Sequence, residues 1–282
     1  MEHYADNLEM QVAARTADYI KETKEVERVL HLLLPKSVAK QLMRNQPVVP
    51  ESFDDVTIYF SDIAGFTKLC SQLRPEEVVN LLHDLYHSFD SIADKLDVYK
   101  VETIGDAYMV TSGLPIKNGI LHAREISRMS LGILEAINHI KVKPLPHEVL
   151  KIRIGVHTGP VLAGVVGIKM PRYCLFGRTV LLASGMESSG KEMKIQISPA
   201  TKKLLDYFRT FKIEPRDPDS WNLKKDGDRE MHDHFAPMGG SYWLLGEETK
   251  KLPESIDQNY NILGNSDVIY RNGPSRLPQA AH

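Results

Sequence analysis

The chain has 282 residues, 42% hydrophobic and 26% charged, which is enough for a buried core and one sizeable domain with additions at either end. A net charge of −2 and a pI near 6.6 give no general attraction toward nucleic acid or an anionic membrane, so any phosphate binding must be local. Cys70 and Cys174 are far apart and lack metal-ligand spacing, which argues against a disulfide framework or zinc site and for a reducing, cytoplasmic setting. No apolar run approaches the roughly 20 residues of a membrane-spanning helix, and Met1 is followed by charged sequence rather than a signal-peptide core.

Tyr4 to Leu33 contains no Gly or Pro, and Leu8, Val12, Arg15, Tyr19, Glu22, Val26, Val29 and Leu33 alternate steps of four and three. This heptad seam predicts a helix that pairs as a parallel coiled coil, weakened by Arg15 and Glu22; an amphipathic helix lying on the domain is the alternative. Pro35 stops it, and a short helix Ser37–Arg44 follows. Val56–Asp62 is a β-branched and aromatic strand ending in a carboxylate. A loop with Gly65 then leads into helical sequence from about Pro75 to Leu96.

Tyr99–Ile104 and Ala107–Thr111 read as strands flanking a Gly105-Asp106 hairpin turn, and Leu121–His139 as a helix. Leu150–Thr158 is the next strand. A glycine-rich stretch, 159–167, precedes a short apolar strand, Tyr173–Phe176, and a helix from about Val180 to Ser188. Lys194–Ser198 is a strand, and Ser198-Pro199 caps a helix through Tyr207. The order βαββαβ with extensions predicts an α+β, ferredoxin-like sandwich. Residues 1–34 form a dimerisation helix in this reading and 35–248 the main domain. Residues 249–282, rich in Pro, Asn, Ser and Gly without periodicity, form a disordered tail.

Asp62 at a strand end and Asp106 in the following hairpin turn can meet at one edge of a sheet, where paired carboxylates suit hard cations. Either aspartate alone reads equally well as a turn or capping residue. Between Asp62 and its helix, Ile63-Ala64-Gly65-Phe66-Thr67 has a glycine that lets backbone amides approach an anion, as in a triphosphate cradle.

Four segments are more specific: FSDIAGFT at 60–67, KVETIGDAYMVTSGLP at 100–115, RIGVHTGPVLAGVVG at 153–167 and KMPRYCLFG at 169–177. Together they resemble the catalytic domain of receptor-type guanylate cyclases of the class III nucleotide cyclases, over residues 1 to 247. The resemblance implies a head-to-tail dimer, GTP as substrate, 3′,5′-cyclic GMP as product, and two Mg2+ or Mn2+ ions per site. It places Asp62, Ile63 and Asp106 at the metals, and Ile63, Gly65, Phe66 and Thr67 at the phosphates. Glu102, Arg172 and Cys174 fall at guanine: a carboxylate can accept from N1–H and the 2-amino group, and Arg or Cys can face O6. Adenylate cyclases of the class have Lys and Asp or Thr at the positions of Glu102 and Cys174. A place beneath the plasma membrane, through a larger receptor, is also implied.

The pattern then breaks. Where the family continues Asp-Thr-Val-Asn-Thr-Ala-Ser-Arg-Met-Glu-Ser, this chain reads Arg178-Thr179-Val180-Leu181-Leu182-Ala183-Ser184-Gly185-Met186-Glu187-Ser188. Leu181 replaces the Asn that orients the ribose, and Gly185 the Arg that stabilises charge on the transferring phosphorus. The family's Lys-Gly-Lys-Gly turn is here Met231-His232-Asp233-His234-Phe235, whose histidines read as exposed loop residues rather than a third metal site. Losing one preorganised donor costs about a hundredfold or more in rate, so both sites of a homodimer are expected to be impaired. Three readings stay open: an active cyclase, a metal-donating subunit of a heterodimer, and a GTP-binding pseudocyclase.

Overall fold

A computed structural model of the chain describes residues 2–167, 169–217 and 240–248. The Met231–Phe235 segment and the expected tail at 249–282 lie outside the described residues. Those described fall into two compact units, one within residues 1–53 and 161–177, the other within 54–160 and 178–282.

The first unit contains helices α1 (Glu2–Leu33) and α2 (Lys36–Met43), parted by Pro35, whose ring removes a backbone donor. Leu34, Val38 and Ala39 are buried at this corner. Along α1, Val12, Tyr19, Val26 and Leu33 of the heptad seam are all exposed. The unit also holds β5 (Arg172–Phe176), antiparallel to the end of β4 (Ile152–Val166) from Leu162↔Phe176 to Val166↔Arg172. Sequence alone ended this strand at Thr158. It continues through the glycines because β5 supplies partners for their backbone groups.

The second unit is a mixed sheet with helices. Strand β1 (Glu51–Ile63) enters it and is followed by α3 (Phe66–Cys70), α4 (Pro75–Ala93), β2 (Tyr99–Ile104), β3 (Ala107–Ser112) and α5 (Leu121–Ala136), which ends in a 3-10 turn, Ile137–His139. After β4 come α6 (Arg178–Ser188), β6 (Lys194–Ile197), α7 (Pro199–Phe208), β7 (Phe211–Pro215) and β8 (Tyr242–Glu247). The strands lie in the order β2-β3-β1-β4-β6-β8-β7. The first four reproduce the expected βαββαβ arrangement. β6 joins β4 in parallel, from Arg153↔Lys194 to Val156↔Ile197, and β8 and β7 extend the sheet antiparallel.

Burial follows the periodicities. On α4, Leu81, Leu85, Phe89 and Ala93 recur every fourth residue and face the core, while Ile126, Met129, Ile133 and Ile137 do so from α5 and its 3-10 turn. Val56, Thr57, Ile58 and Tyr59 are all buried in the middle of β1, as a strand covered on both faces requires. The Glu77 carboxylate accepts from the Arg74 amide at 2.8 Å at the start of α4, and Ser198 Oγ from the Thr201 amide at 3.3 Å at the start of α7. The buried hydroxyls of Thr57, Thr158 and Thr201 form a chain of 2.8 and 2.9 Å hydrogen bonds linking β1, β4 and α7, and His122 Nδ1 joins it at Thr57, 2.7 Å away.

Candidate active site

The apolar run of β1 ends at Asp62 and Ile63. β3 pairs antiparallel with β1 up to Ser61↔Tyr108, so continuing the register sets Ile63 opposite Asp106 in the β2–β3 turn. The Ile63 amide donates to Asp106 Oδ2 at 3.3 Å. The turn needs Gly105 at φ 63°, and Tyr86 of α4 fixes it by donating its hydroxyl to the Gly105 carbonyl at 2.7 Å. Asp62 and Asp106, which are 44 residues apart in sequence, therefore share one sheet edge.

Their charges interact. Burial and then the hydrogen bond and charge of Asp62 push the Asp106 carboxyl up to about 6. Arg153 on β4 offsets the other side: Nη2 donates to Asp62 Oδ2 and Nε to Glu187 Oε1 of α6, both at 2.8 Å. The Glu187 side chain is only 11% exposed, and burial raises its pKa against the lowering pull of Arg153. This row of carboxylate, guanidinium and carboxylate depends on the close approach of α6 to β4 at Gly155, where a Cβ would collide with the Glu187 amide nitrogen.

The loop after Asp62 is open. Gly65 has φ 74°, and a Cβ there would meet nothing within 4 Å. Phe66 and Thr67 begin α3, which has only five residues, so its dipole adds little and the backbone itself is what an anion could approach. The Ala64 amide is anchored to the Lys151 carbonyl at 2.8 Å. Beside the loop lies a cavity of about 190 Å3 lined by Ile63, Gly65, Lys68, Leu69 and Lys151 among others.

Asp62, Ile63, Gly65, Phe66, Thr67 and Asp106 are thus brought together. Glu102 belongs to the same unit, half-buried on β2 opposite Met109 at a bulge in the β2–β3 pairing. Arg172 and Cys174 stand on β5 in the other unit, Arg172 exposed and Cys174 half-buried opposite Gly164. On α6, Leu181 is 62% exposed while Gly185 is buried. Sequence reasoning did not single out Arg153, Glu187 or Tyr86. Arg153 opens one of the four specific segments, but its pairing across 91 residues with Asp62 has no local signature.

The donor set fits hard divalent cations: two carboxylates, one raised in pKa by burial and then by the other, with no soft ligand between them. Among the described residues no group of three or more His, Cys, Asp or Glu could hold a metal. Remaining ligands would have to come from backbone, water or a phosphorylated substrate.

Residues 48–236 match the family model described as the adenylate and guanylate cyclase catalytic domain. The chain is 54% identical over 248 residues to atrial natriuretic peptide receptor 2 of Mus musculus, covering 88% of this chain and 22% of the receptor. It is 49% identical over 254 residues to a receptor-type guanylate cyclase of Caenorhabditis elegans, covering 90% and 19%. It therefore spans about a fifth of the length of these relatives. Among solved structures, the guanylyl cyclase domain of the RhoGC fusion protein of Blastocladiella emersonii, a non-canonical dimer, aligns with a TM-score of 0.60 at 34% identity, covering 70% of this chain and 99% of that one. The guanylate cyclase domain from Catenaria anguillulae, solved in complex with GTP, aligns with a TM-score of 0.59 at 34% identity, covering 70% and 100%.

Proposed function

Because this chain belongs to the adenylate and guanylate cyclase catalytic domain family, we propose that it binds GTP with two Mg2+ or Mn2+ ions at Asp62, Ile63 and Asp106, as the metal-holding half of a head-to-tail cyclase dimer. Residues 1–34 serve as its dimerisation helix, 35–248 as its catalytic domain and 249–282 as a tail. The observation that carries the reading is the Asp62–Asp106 pair at one sheet edge, where burial first, and then the hydrogen bond and charge of Asp62, raise the Asp106 pKa, a cost that a bound cation relieves. Bound divalent ions would activate the ribose 3′-hydroxyl for attack on the α-phosphorus and stabilise the departing pyrophosphate. The chain's own part is to hold the carboxylates in place: Tyr86 and the Ile63 amide fix Asp106, and Arg153 orients Asp62. The loop at Gly65, Phe66 and Thr67 presents backbone to the phosphates, and Glu102, Arg172 and Cys174 select guanine over adenine by the donors and acceptors of its edge.

Leu181 and Gly185 offer no hydrogen-bond donor from their side chains, and both copies of a homodimer carry the same deficit. We infer that cyclic GMP forms where a second cyclase domain, with Asn, Arg and Lys at the corresponding positions, supplies the transition-state donors. The similarity to receptor cyclases supports a place at the cytosolic face of a membrane receptor. No helix among the described residues is long and apolar enough to cross a membrane.

The test is complementation. This chain is mixed with an intact cyclase domain whose own metal aspartates are changed to Asn, and cyclic GMP is measured with GTP and Mn2+. Product from the mixture and not from either component, abolished by Asp62→Asn, is expected. Full turnover by this chain alone, or a mixture indifferent to Asp62→Asn, refutes the division of labour. GTP and Mn2+ binding without turnover in any mixture would leave the pseudocyclase reading.

A further inference from the structure

Helix α4 carries two histidines used neither by the core nor by the carboxylate pair. Leu81, Leu85, Phe89 and Ala93 take its inner face, which leaves His83 and His87 exposed. Their i, i+4 spacing sets one imidazole above the other, with ring centroids 6.4 Å apart and planes 12° from parallel. No hydrogen bond reaches either ring among the described residues. Two imidazoles one helical turn apart are the arrangement by which helical zinc motifs chelate a metal. With metal–nitrogen bonds of about 2.1 Å and tetrahedral angles the centroids come to roughly 5 Å. Closing on an ion therefore asks a modest approach of the two rings together with a turn of each exposed side chain that brings their in-plane nitrogen lone pairs to one point.

The neighbouring carboxylates do not complete a cage. Asp84 lies beside both rings. The hydrogen bond from Lys143 at 2.7 Å and its charge, and to a smaller extent His83 and His87, hold its carboxyl below the usual range. Asp90, one turn further on, is engaged by Lys100 through both oxygens at 2.8 Å and by the Tyr108 hydroxyl at 2.7 Å. Since both carboxylates are already paired, the imidazoles are the available ligands, and water completes the coordination.

We propose that His83 and His87 form a surface site for a borderline transition-metal ion of the Zn2+, Ni2+ or Cu2+ class. Imidazole nitrogen selects these ions, whereas the oxygen-only pair of Asp62 and Asp106 suits Mg2+ or Mn2+, so the two sites differ in ligand chemistry as well as position. An ion held here bridges one turn of α4, the turn that carries Tyr86 and its hydrogen bond to the Gly105 carbonyl.

The experiment is a zinc titration of the whole 282-residue chain by competition with a chromogenic chelator, paired with melting curves with and without zinc. Wild type is expected to take up one zinc ion at micromolar concentration and melt higher with it. His83→Ala and His87→Ala should each weaken binding by about tenfold or more, abolish the zinc-dependent rise, and keep the metal-free melting temperature. Uptake should persist in His232→Ala/His234→Ala and in Asp62→Asn/Asp106→Asn. Equal zinc affinity in wild type and the His83→Ala/His87→Ala double variant, loss of the ion in either control, or no uptake by wild type overturns the site.

Discussion

Replacing Arg153 with alanine strips Asp62 and Glu187 of the cation that joins them. The two survivors differ in burial: the Glu187 side chain is 11% exposed and that of Asp62 27%. Breaking a fully buried ion pair from one side costs about 3–5 kcal/mol, and a surface pair costs about 0–1. Glu187 sits near the first limit and Asp62 between the two, so Arg153→Ala should destabilise the metal-free chain by roughly 2–3 kcal/mol. For a domain of this size that is a fall in melting temperature of roughly 5–10 °C. Most of the loss is a stranded charge rather than a lost attraction, so adding Glu187→Gln to Arg153→Ala should return about 1 kcal/mol or more. The penalty should also shrink toward acidic pH. Burial already raises the Glu187 pKa, and without Arg153 it rises further, so the folded state takes up the proton that relieves it. Urea unfolding of wild type, both single variants and the double variant, followed by circular dichroism at pH 5 and pH 8, measures the cycle. A double variant as unstable as the sum of the singles would refute the view that Glu187 is held ionised by Arg153.

The Asp106 carboxyl, raised to about 6, makes a pH prediction whose sign is fixed. The folded state binds this proton more tightly than the unfolded chain, so the contribution is fully present below about pH 4 and lost as pH rises through about 6. Discounted for the exposure of the site, the effect is on the order of 1 kcal/mol; it should vanish in Asp106→Asn and on adding Mg2+, read from melting temperatures against pH in metal-free buffer. Tyr86→Phe removes the 2.7 Å bond to the Gly105 carbonyl and should cost about 0.5–1.5 kcal/mol. It should also weaken Mn2+ binding several-fold in calorimetry, and unchanged Mn2+ affinity would show that the turn holds Asp106 without it. Gly155→Ala drives a methyl into the backbone of α6 at Glu187, so the expected loss exceeds about 3 kcal/mol, read as failure to fold or a deep fall in melting temperature. A variant that melts like wild type would mean that α6 and β4 can separate freely.

Much of the fold was legible because its signals are local. The every-fourth apolar spacing of α4, the β-branched run of Val56–Tyr59, the Ser198-Pro199 cap and the Gly105-Asp106 turn each report a conformation set by neighbours in sequence, and each forms where expected. The extension of β4 through its glycines was not legible. Glycine carries no strand preference, and the pairing of Leu162–Val166 depends on β5, supplied by residues 172–176. The strands at 211–215 and 242–247 were missed for a similar reason: each is short and is held as a strand by partners along the sheet.

The site divides the same way. Sequence by itself determined the donor chemistry: carboxylates at 62 and 106, a glycine at 65, and Leu181 and Gly185 where the resembling family has Asn and Arg. Residue type and motif fix these whatever the chain does in space. Only the tertiary structure decided that Ile63 bonds Asp106, that Tyr86 clamps the turn, and that Arg153 joins Asp62 to Glu187. Those contacts span 43, 19, 91 and 34 residues. Hydrogen bonds across such separations leave no periodic trace in the sequence, because what brings the partners together is the burial of the core beneath them.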